Sequence, residues 1–229
     1  MSDIKSRIEE VKNRIENAKI NKDSEVTLIA VTKTHPPEMI NEAIDCGITD
    51  IGENKVQEIL DKYDKVKPVR WHLIGHLQTN KVKYIIDKVC LIHSVDSVKL
   101  LDEIDKQAKK HSLVMDVLLQ VNITGEESKF GIKPEEIESM LLYASGLSNV
   151  RVKGLMTIMM KGDSEISTRL HFNDIYNKFI DFSQNKYDNI SMRFLSMGMS
   201  GDYETAVSCG SNMVRVGSAI FGERNYDII

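Results

Sequence analysis

Apolar residues recur along this chain with two different spacings, and the change from one spacing to the other divides it into elements. Near the start, Ile4, Ile8, Val11, Ile15 and Ala18 follow one another at intervals of three and four residues, which predicts an amphipathic helix. Short apolar runs then predict eight strands, at residues 27–32, 50–52, 70–74, 91–95, 117–122, 152–158, 194–197 and 213–216. Amphipathic stretches between them predict helices that include 37–46, 55–63, 97–109, 134–145 and 169–182.

The predicted strands are apolar over most of their length, which is typical of parallel strands covered on both faces. Together with the intervening helices they predict an α/β fold, a single-domain (β/α)8 TIM-type barrel with an extra N-terminal helix, over residues 1–229. An open doubly wound sheet is the alternative. It is disfavoured because the sequence has neither a Gly-x-Gly-x-x-Gly segment after the first strand nor a Walker loop.

Composition excludes some classes of function. The net charge is −4 and lysines are interleaved with acidic residues, whereas a nucleic-acid-binding protein needs a clustered basic surface. No run of eighteen apolar residues is present, so we expect no membrane-spanning helix. The N-terminus lacks the apolar core of a signal peptide, and the three cysteines are scattered. These features predict a cytoplasmic protein.

Polar residues follow the predicted strands at the end where a parallel barrel gathers its chemistry. Lys33 follows an apolar run and Thr32. A lysine amine in this position can form an imine with an aldehyde once burial or nearby positive charge disfavours its protonated form. The alternative is an ordinary solvated surface lysine.

The loops after the last two predicted strands have the residues of an anion site. Gly198, Ser200 and Gly201 follow the seventh strand, and Gly217 and Ser218 follow the eighth. Glycine lets backbone N–H groups approach an oxygen closely, and serine adds a hydroxyl donor. Ordinary turn chemistry is the alternative interpretation of each loop.

Arg215 precedes Gly217 by two residues, and strand alternation directs both to the same side. A guanidinium that faces a heteroaromatic nitrogen would keep that nitrogen unprotonated, because arginine only donates. The alternative is a paired structural charge. With Lys33, the pattern predicts a site for a small phosphorylated aldehyde held as an imine.

Two other patterns carry less weight. His72 and His76 would share a strand face, as zinc ligands do, but no third ligand has suitable spacing, so we predict no metal. The eleven methionines are typical of core filling, although Met156 is placed where it could flank a ring.

Ordered matches along nearly the whole chain resemble the pyridoxal phosphate homeostasis protein family, which are single-domain relatives of the alanine racemase N-terminal barrel. The segments that carry the resemblance include Ala30-Val31-Thr32-Lys33-Thr34, Ile51-Gly52-Glu53-Asn54, Trp71-His72-Leu73-Ile74-Gly75, Lys129-Phe130-Gly131-Ile132, Ser196-Met197-Gly198-Met199-Ser200 and Met213-Val214-Arg215-Val216-Gly217.

The resemblance implies a set of cofactor-binding residues and no catalytic ones. Lys33 would form an aldimine with pyridoxal 5′-phosphate (PLP), and Arg215 would face the pyridine nitrogen. The phosphate would be held by Ser200, Gly217 and Ser218, and the pocket wall would include Asn54 and Met156. Many members carry serine, phenylalanine and proline where this chain has Thr32, Ile51 and His76, and the last departure leaves the role of His76 open.

The implied function is that of a carrier in intracellular vitamin B6 homeostasis, which binds PLP, limits its free level and supplies it to PLP-dependent apoenzymes, without established turnover. We expect the carrier to be a monomer. A slow PLP-dependent amino-acid racemase is one alternative. Such racemases need a second domain that supplies a tyrosine, and this chain ends at Ile229, soon after the eighth predicted strand. The other alternative is an enzyme of phosphorylated sugars that uses Lys33 as an aldolase-type amine.

Overall fold

Eight parallel strands close into a barrel in which neighbours in the chain are neighbours in the sheet, and the last strand pairs with the first. The computed structural model of the protein describes residues 3–126, 129–159, 162–184 and 187–222. The predicted (β/α)8 barrel is confirmed. Its strands are β1 Thr27–Val31, β2 Asp50–Glu53, β3 Arg70–Leu73, β4 Leu91–Val95, β5 Met115–Gln120, β6 Val150–Met156, β7 Ile190–Ser196 and β8 Met213–Val216.

The helices lie outside the barrel and follow the predicted amphipathic stretches closely. They are α1 Asp3–Ala18, α2 Pro37–Asp45, α3 Val56–Lys62, α4 Val98–Lys110, α5 Ile137–Ser145, α6 Glu165–Ser183, α7 Tyr203–Ser208 and α8 Ser218–Phe221. Between β3 and β4 the connection contains only a 3₁₀ segment, Thr79–Tyr84. No helix among the described residues is long and apolar enough to cross a lipid bilayer.

The N-terminal helix α1 buries the stripe that its spacing predicts. Ile4, Ile8, Val11 and Ile15 are all buried, and the helix packs against α2, α7 and α8. Because these residues form one face of the helix, their burial leaves the charged residues between them in solvent. The extra N-terminal helix is therefore part of the main hydrophobic core.

The strand boundaries differ from the prediction most in β7, which begins at Ile190 rather than at residue 194. Ser191 and Arg193 are exposed in this strand, so its first half alternates between polar and apolar residues and has no continuous apolar run. In β6 the register shifts at Gly154, whose φ is +146°. A Cβ at Gly154 would lie 1.8 Å from the carbonyl oxygen of Phe194, so only glycine fits there.

The core has two parts, and the division matters for the site. The larger part fills the space between strands and helices. The smaller part contains Ile29, Leu91, Leu118, Met156 and Met213, from strands β1, β4, β5, β6 and β8. Since these strands surround the barrel axis, this small cluster is the apolar filling of the barrel interior.

Candidate functional site

A cavity of about 860 Å³ opens at the carboxyl ends of the strands, which is the face where barrels of this type carry their chemistry. The structure brings six of the seven predicted cofactor-binding residues together in its lining: Lys33, Asn54, Ser200, Arg215, Gly217 and Ser218. These residues follow or belong to β1, β2, β7 and β8, so they are far apart in the chain and meet only because the barrel closes.

Met156 lies elsewhere. It is the last residue of β6, it is fully buried, and it belongs to the cluster inside the barrel. Ile158 packs against that cluster and lines the cavity. Met156 is not among the lining residues, so the structure places it behind the pocket wall, and a direct role in holding a ligand stays a prediction.

Carboxylates from neighbouring elements hold the residues on both sides of Lys33. The Thr32 hydroxyl donates to Glu53 Oε1 over 2.7 Å, and the Thr34 amide donates to Glu58 Oε2 over 2.7 Å. Thr34 has a φ of +67°, a conformation that a β-branched residue rarely adopts. The turn that presents Lys33 to the cavity is therefore fixed by tertiary contacts rather than by local preference.

Lys62 joins these two carboxylates from below the turn. Its Nζ donates to the Thr32 carbonyl oxygen at 3.0 Å, to Glu53 Oε1 at 2.8 Å and to Glu58 Oε2 at 2.9 Å. Glu53 is fully buried, and this burial raises its pKa although Lys62 opposes the shift. Sequence reasoning missed this cluster. Its only local signal was the spacing of Glu58 and Lys62 by four residues on α3.

The two glycine- and serine-containing loops meet as predicted. Ser200 Oγ accepts hydrogen bonds from the Gly217 amide at 3.1 Å and the Ala219 amide at 3.5 Å. Gly198 has a φ of +99°, and a Cβ there would lie 2.7 Å from the Ala206 Cβ, so the loop needs glycine at this position. Amide groups and a hydroxyl thus converge at the start of α8, a donor set that suits a phosphate.

Arg215 contributes a buried cation to the cavity wall. The residue is only 3% exposed, and it donates from Nη1 to Ser196 Oγ at 2.6 Å and from Nη2 to the Thr157 carbonyl oxygen at 2.8 Å. Burial lowers its pKa to about 10, against the opposing charge of Asp202. The guanidinium therefore stays charged at neutral pH, with its two terminal nitrogens fixed by hydrogen bonds.

The two histidines with the spacing of zinc ligands are separated by the structure. Because β3 ends at Leu73, His76 lies in the following loop, where it stacks on Phe130 at 3.8 Å between ring centroids and contacts Asp96 at 3.2 Å. His72 points into the barrel. In the parts of the chain that the structure describes, no group of three histidine, cysteine, aspartate or glutamate side chains is arranged to hold a metal ion.

Asp50 lies at the opposite end of the barrel interior, and its pKa leads to a testable prediction. Burial alone would raise this pKa, but hydrogen bonds from His72, Arg70 and Thr49 outweigh it and hold the pKa well below its ordinary value of 3.8. A lowered carboxyl pKa stabilises the folded state above the unfolded-state pKa, and this stabilisation is lost as the pH falls.

We therefore expect the free energy of unfolding to fall less steeply with acidification in Asp50→Asn than in the unmodified protein between about pH 5 and pH 2. Urea unfolding at several pH values measures the slope. Asp116→Asn is the matched control, because Asp116 also pairs with an arginine on the next strand, Arg151, but at a more exposed position. Equal slopes for Asp50→Asn and the unmodified protein would contradict the assignment.

Comparison with known proteins identifies the class to which this fold and site belong. The family model described as "Alanine racemase, N-terminal domain" matches residues 3–225, and the chain belongs to that family. Within it, a relative from Aquifex aeolicus named "Pyridoxal phosphate homeostasis protein" is 46% identical over 201 residues, which is 87% of each chain. A protein of the same name from Helicobacter pylori J99 is 37% identical and covers 97% of this chain and 100% of its own.

Solved structures agree with this placement. PipY of Synechococcus elongatus, in a structure described as having PLP bound, is 31% identical and superposes with a TM-score of 0.85 over 96% of this chain. An alanine racemase from Clostridium difficile superposes with a TM-score of 0.72 at 15% identity, and this chain covers 58% of it. That second likeness shows the fold alone. The resemblance to the pyridoxal phosphate homeostasis proteins is thus confirmed.

Proposed function

We propose that this protein binds PLP at the mouth of the barrel, covalently through the Lys33 amine, and acts in vitamin B6 homeostasis. One observation carries the proposal: an amine, a buried guanidinium and a turn of amide and hydroxyl donors line the same cavity. The names of the relatives and the PLP described as bound to PipY support it. The same names describe homeostasis proteins rather than enzymes, and we expect no turnover.

The residues present fit the chemistry of the cofactor. PLP supplies an aldehyde that condenses with a primary amine and releases water, and among the described lining residues Lys33 is the only lysine. The amides of Gly217 and Ala219 donate to Ser200 Oγ and so hold this hydroxyl at the start of α8, where the Ser200 and Ser218 hydroxyls would donate to phosphate oxygens beside Gly217. Arg215 would face the ring and, as a pure donor, would favour an unprotonated ring nitrogen. Asn54 would contribute to the wall.

Borohydride reduction followed by peptide mass spectrometry tests the proposal directly. We expect protein incubated with PLP to become yellow, and the reduced protein to carry one added cofactor mass on the peptide that contains Lys33. Protein that stays colourless at a large excess of PLP, with no mass added after reduction, would refute it.

Three finer parts of the proposal extend beyond cofactor binding. We infer that the protein works in the cytoplasm, that it is a monomer, and that it passes PLP to apoenzymes. Exchange from the loaded protein to a PLP-dependent apoenzyme, measured as recovered activity of the recipient, tests the last part. The control is the recipient apoenzyme mixed with the same amounts of free PLP and of cofactor-free protein. If the activity of the recipient recovers no faster with the loaded protein than in this control, the result would count against delivery.

The phosphate half of the site gives a separate prediction. Ser200→Ala removes a hydroxyl that would donate to the phosphate, and a hydrogen bond to a charged oxygen contributes about 1.5–3 kcal/mol. We therefore expect the dissociation constant for PLP to rise about 10- to 100-fold, with little change for pyridoxal, which has no phosphate. Equilibrium titration with both ligands measures the two constants, and Ser139→Ala on the exposed face of α5 is the control. An equal loss for both ligands would show that Ser200 does not act through the phosphate.

A further inference from the structure

A continuous line of buried polar side chains crosses the barrel interior from the far end to Arg215. The line contains one residue from each of five strands: Asp50 of β2, His72 of β3, His93 of β4, Ser196 of β7 and Arg215 of β8. All five are buried, with exposed fractions of 3% or less. Such a set is unusual in a barrel interior, which branched apolar side chains normally fill.

Each member of this polar relay is within hydrogen-bond distance of the next. Arg215 Nη1 lies 2.6 Å from Ser196 Oγ, which lies 3.0 Å from His93 Nδ1. His93 Nε2 lies 3.0 Å from His72 Nδ1, and His72 Nε2 lies 2.9 Å from Asp50 Oδ1. These contacts join residues up to 103 positions apart in the chain.

The chemistry of the two ends is compatible with a single direction of donation along the relay, in which both imidazoles are neutral. A guanidinium only donates and an ionised carboxylate only accepts. In this arrangement Ser196 accepts from Arg215 and donates its own proton to His93 Nδ1. His93 then carries its proton on Nε2 and donates to His72 Nδ1, and His72 donates from Nε2 to Asp50. Both imidazoles are neutral in this arrangement, and every bond has one donor and one acceptor.

Surrounding groups favour this state. Burial holds the pKa of His93 well below its ordinary value, and the positive charge of Arg215 acts in the same direction. Arg70 donates to Asp50 at 2.7 Å and 2.6 Å, which keeps the carboxylate ionised. Cys90 Sγ is 3.5 Å from His72 Nε2, a longer contact than that with Asp50. A second proton on His72 would set its Nδ1–H against the Nε2–H of His93.

We propose that His93, with His72 and Asp50 behind it, is a positioning residue that fixes the Arg215 guanidinium at the cavity through Ser196. None of these three residues lines the cavity. They act on the ligand through Arg215, because they fix the position of the charged guanidinium relative to the ligand ring. The ligand in this inference is that of the proposed function, but the relay exists in the protein alone and is testable without ligand.

The alternative is that the line only satisfies buried polar groups and has no effect at the cavity. Truncation would then reduce stability without changing what Arg215 presents to a ligand. His93→Leu removes both the acceptor for Ser196 and the donor to His72. His93→Gln keeps one acceptor and one donor in a side chain of similar reach. His111→Leu makes the same change at an exposed histidine at the end of α4.

The first measurement uses ligand-free protein labelled with ¹⁵N at histidine. We expect His93 and His72 both to be neutral at neutral pH, each with its proton on Nε2. The ¹⁵N signals of each ring are assigned by their loss in His93→Gln and in His72→Gln. A proton on Nδ1 of either ring, or a charged imidazole, would overturn the relay whether or not PLP binds.

The second measurement uses PLP labelled with ¹⁵N in its ring. We expect an unprotonated ring nitrogen in the unmodified protein and in His111→Leu. In His93→Leu the ring-nitrogen signal should shift towards the protonated value and the dissociation constant for PLP should rise about tenfold, whereas His93→Gln should restore most of both. If His93→Leu is folded by circular dichroism and leaves signal and affinity unchanged, the positioning role is wrong. If His93→Leu does not fold, the test passes to His93→Gln. A ring-nitrogen signal of PLP in His93→Gln that lies as far from the signal in the unmodified protein as from the signal of free PLP would overturn the proposal.

Discussion

Lys33→Ala should abolish the covalent capture of PLP and leave the barrel intact. The cavity lining within the described residues contains no other lysine, so none of these lining residues offers an amine to replace it. The turn itself should persist, because the Thr32 hydroxyl, the Thr32 carbonyl and the Thr34 amide all bond to neighbouring elements. We expect a colourless protein whose mass does not increase after incubation with PLP and reduction with borohydride.

The control for this variant is Lys55→Ala. Lys55 is exposed at the start of α3, on the same side of the barrel, and its removal should leave the yellow colour and the reduced adduct unchanged. Circular dichroism should show the same helix content and melting temperature for both variants within a few degrees. A Lys33→Ala protein that still gains a cofactor mass on a single peptide would place the reactive amine elsewhere.

Lys33→Ala and Ser200→Ala should separate the two halves of the site. The first should lose the adduct at every PLP concentration. The second should form the adduct at saturating PLP but need a higher concentration to do so, because it weakens phosphate binding and leaves the amine in place. If both variants lost the adduct at saturating PLP, adduct formation at Lys33 would require the Ser200 hydroxyl. The amine and the phosphate-binding turn would then not contribute independently to PLP binding.

Lys62→Met should destabilise the protein more than any other substitution of a charged residue considered above. It leaves Glu53, which is fully buried, without its cation, and removing one partner of a buried ion pair costs about 3–5 kcal/mol. The loss should be smaller at acid pH. The pKa of Glu53 is already raised in the folded protein and would rise further without Lys62, so protonation removes the buried charge as the pH falls.

Urea unfolding at neutral and acid pH measures this effect. Lys67→Met is the matched control, since Lys67 pairs with Asp45 on the surface with 49% and 59% of the two side chains exposed, and such pairs contribute about 0–1 kcal/mol. The double variant Lys62→Met with Glu53→Gln should recover part of the lost stability, because neither charge remains buried. If Lys62→Met lowers the free energy of unfolding no more than Lys67→Met does, the cluster of Lys62, Glu53 and Glu58 does not stabilise the turn around Lys33.

Local spacing along the chain determined most of the architecture. The three-and-four spacing of Ile4, Ile8, Val11 and Ile15 placed α1 correctly, and the apolar runs located all eight strands, although β7 was cut short where exposed Ser191 and Arg193 alternate with apolar residues. Parallel strands in chain order all end on one face. For that reason the sequence alone was enough to predict that Lys33, Ser200, Arg215 and Gly217 lie around one cavity.

Contacts between distant residues were decided only by the tertiary structure. His72 had the spacing of a zinc ligand, but barrel closure sets it between Asp50 and His93, 22 and 21 positions away. Lys62 resembled any surface lysine on an amphipathic helix, yet it is 8% exposed and bonds to the Thr32 carbonyl oxygen. The physical reason is that periodicity reports which face of an element is buried, whereas the partner across the barrel depends on the register of all eight strands together.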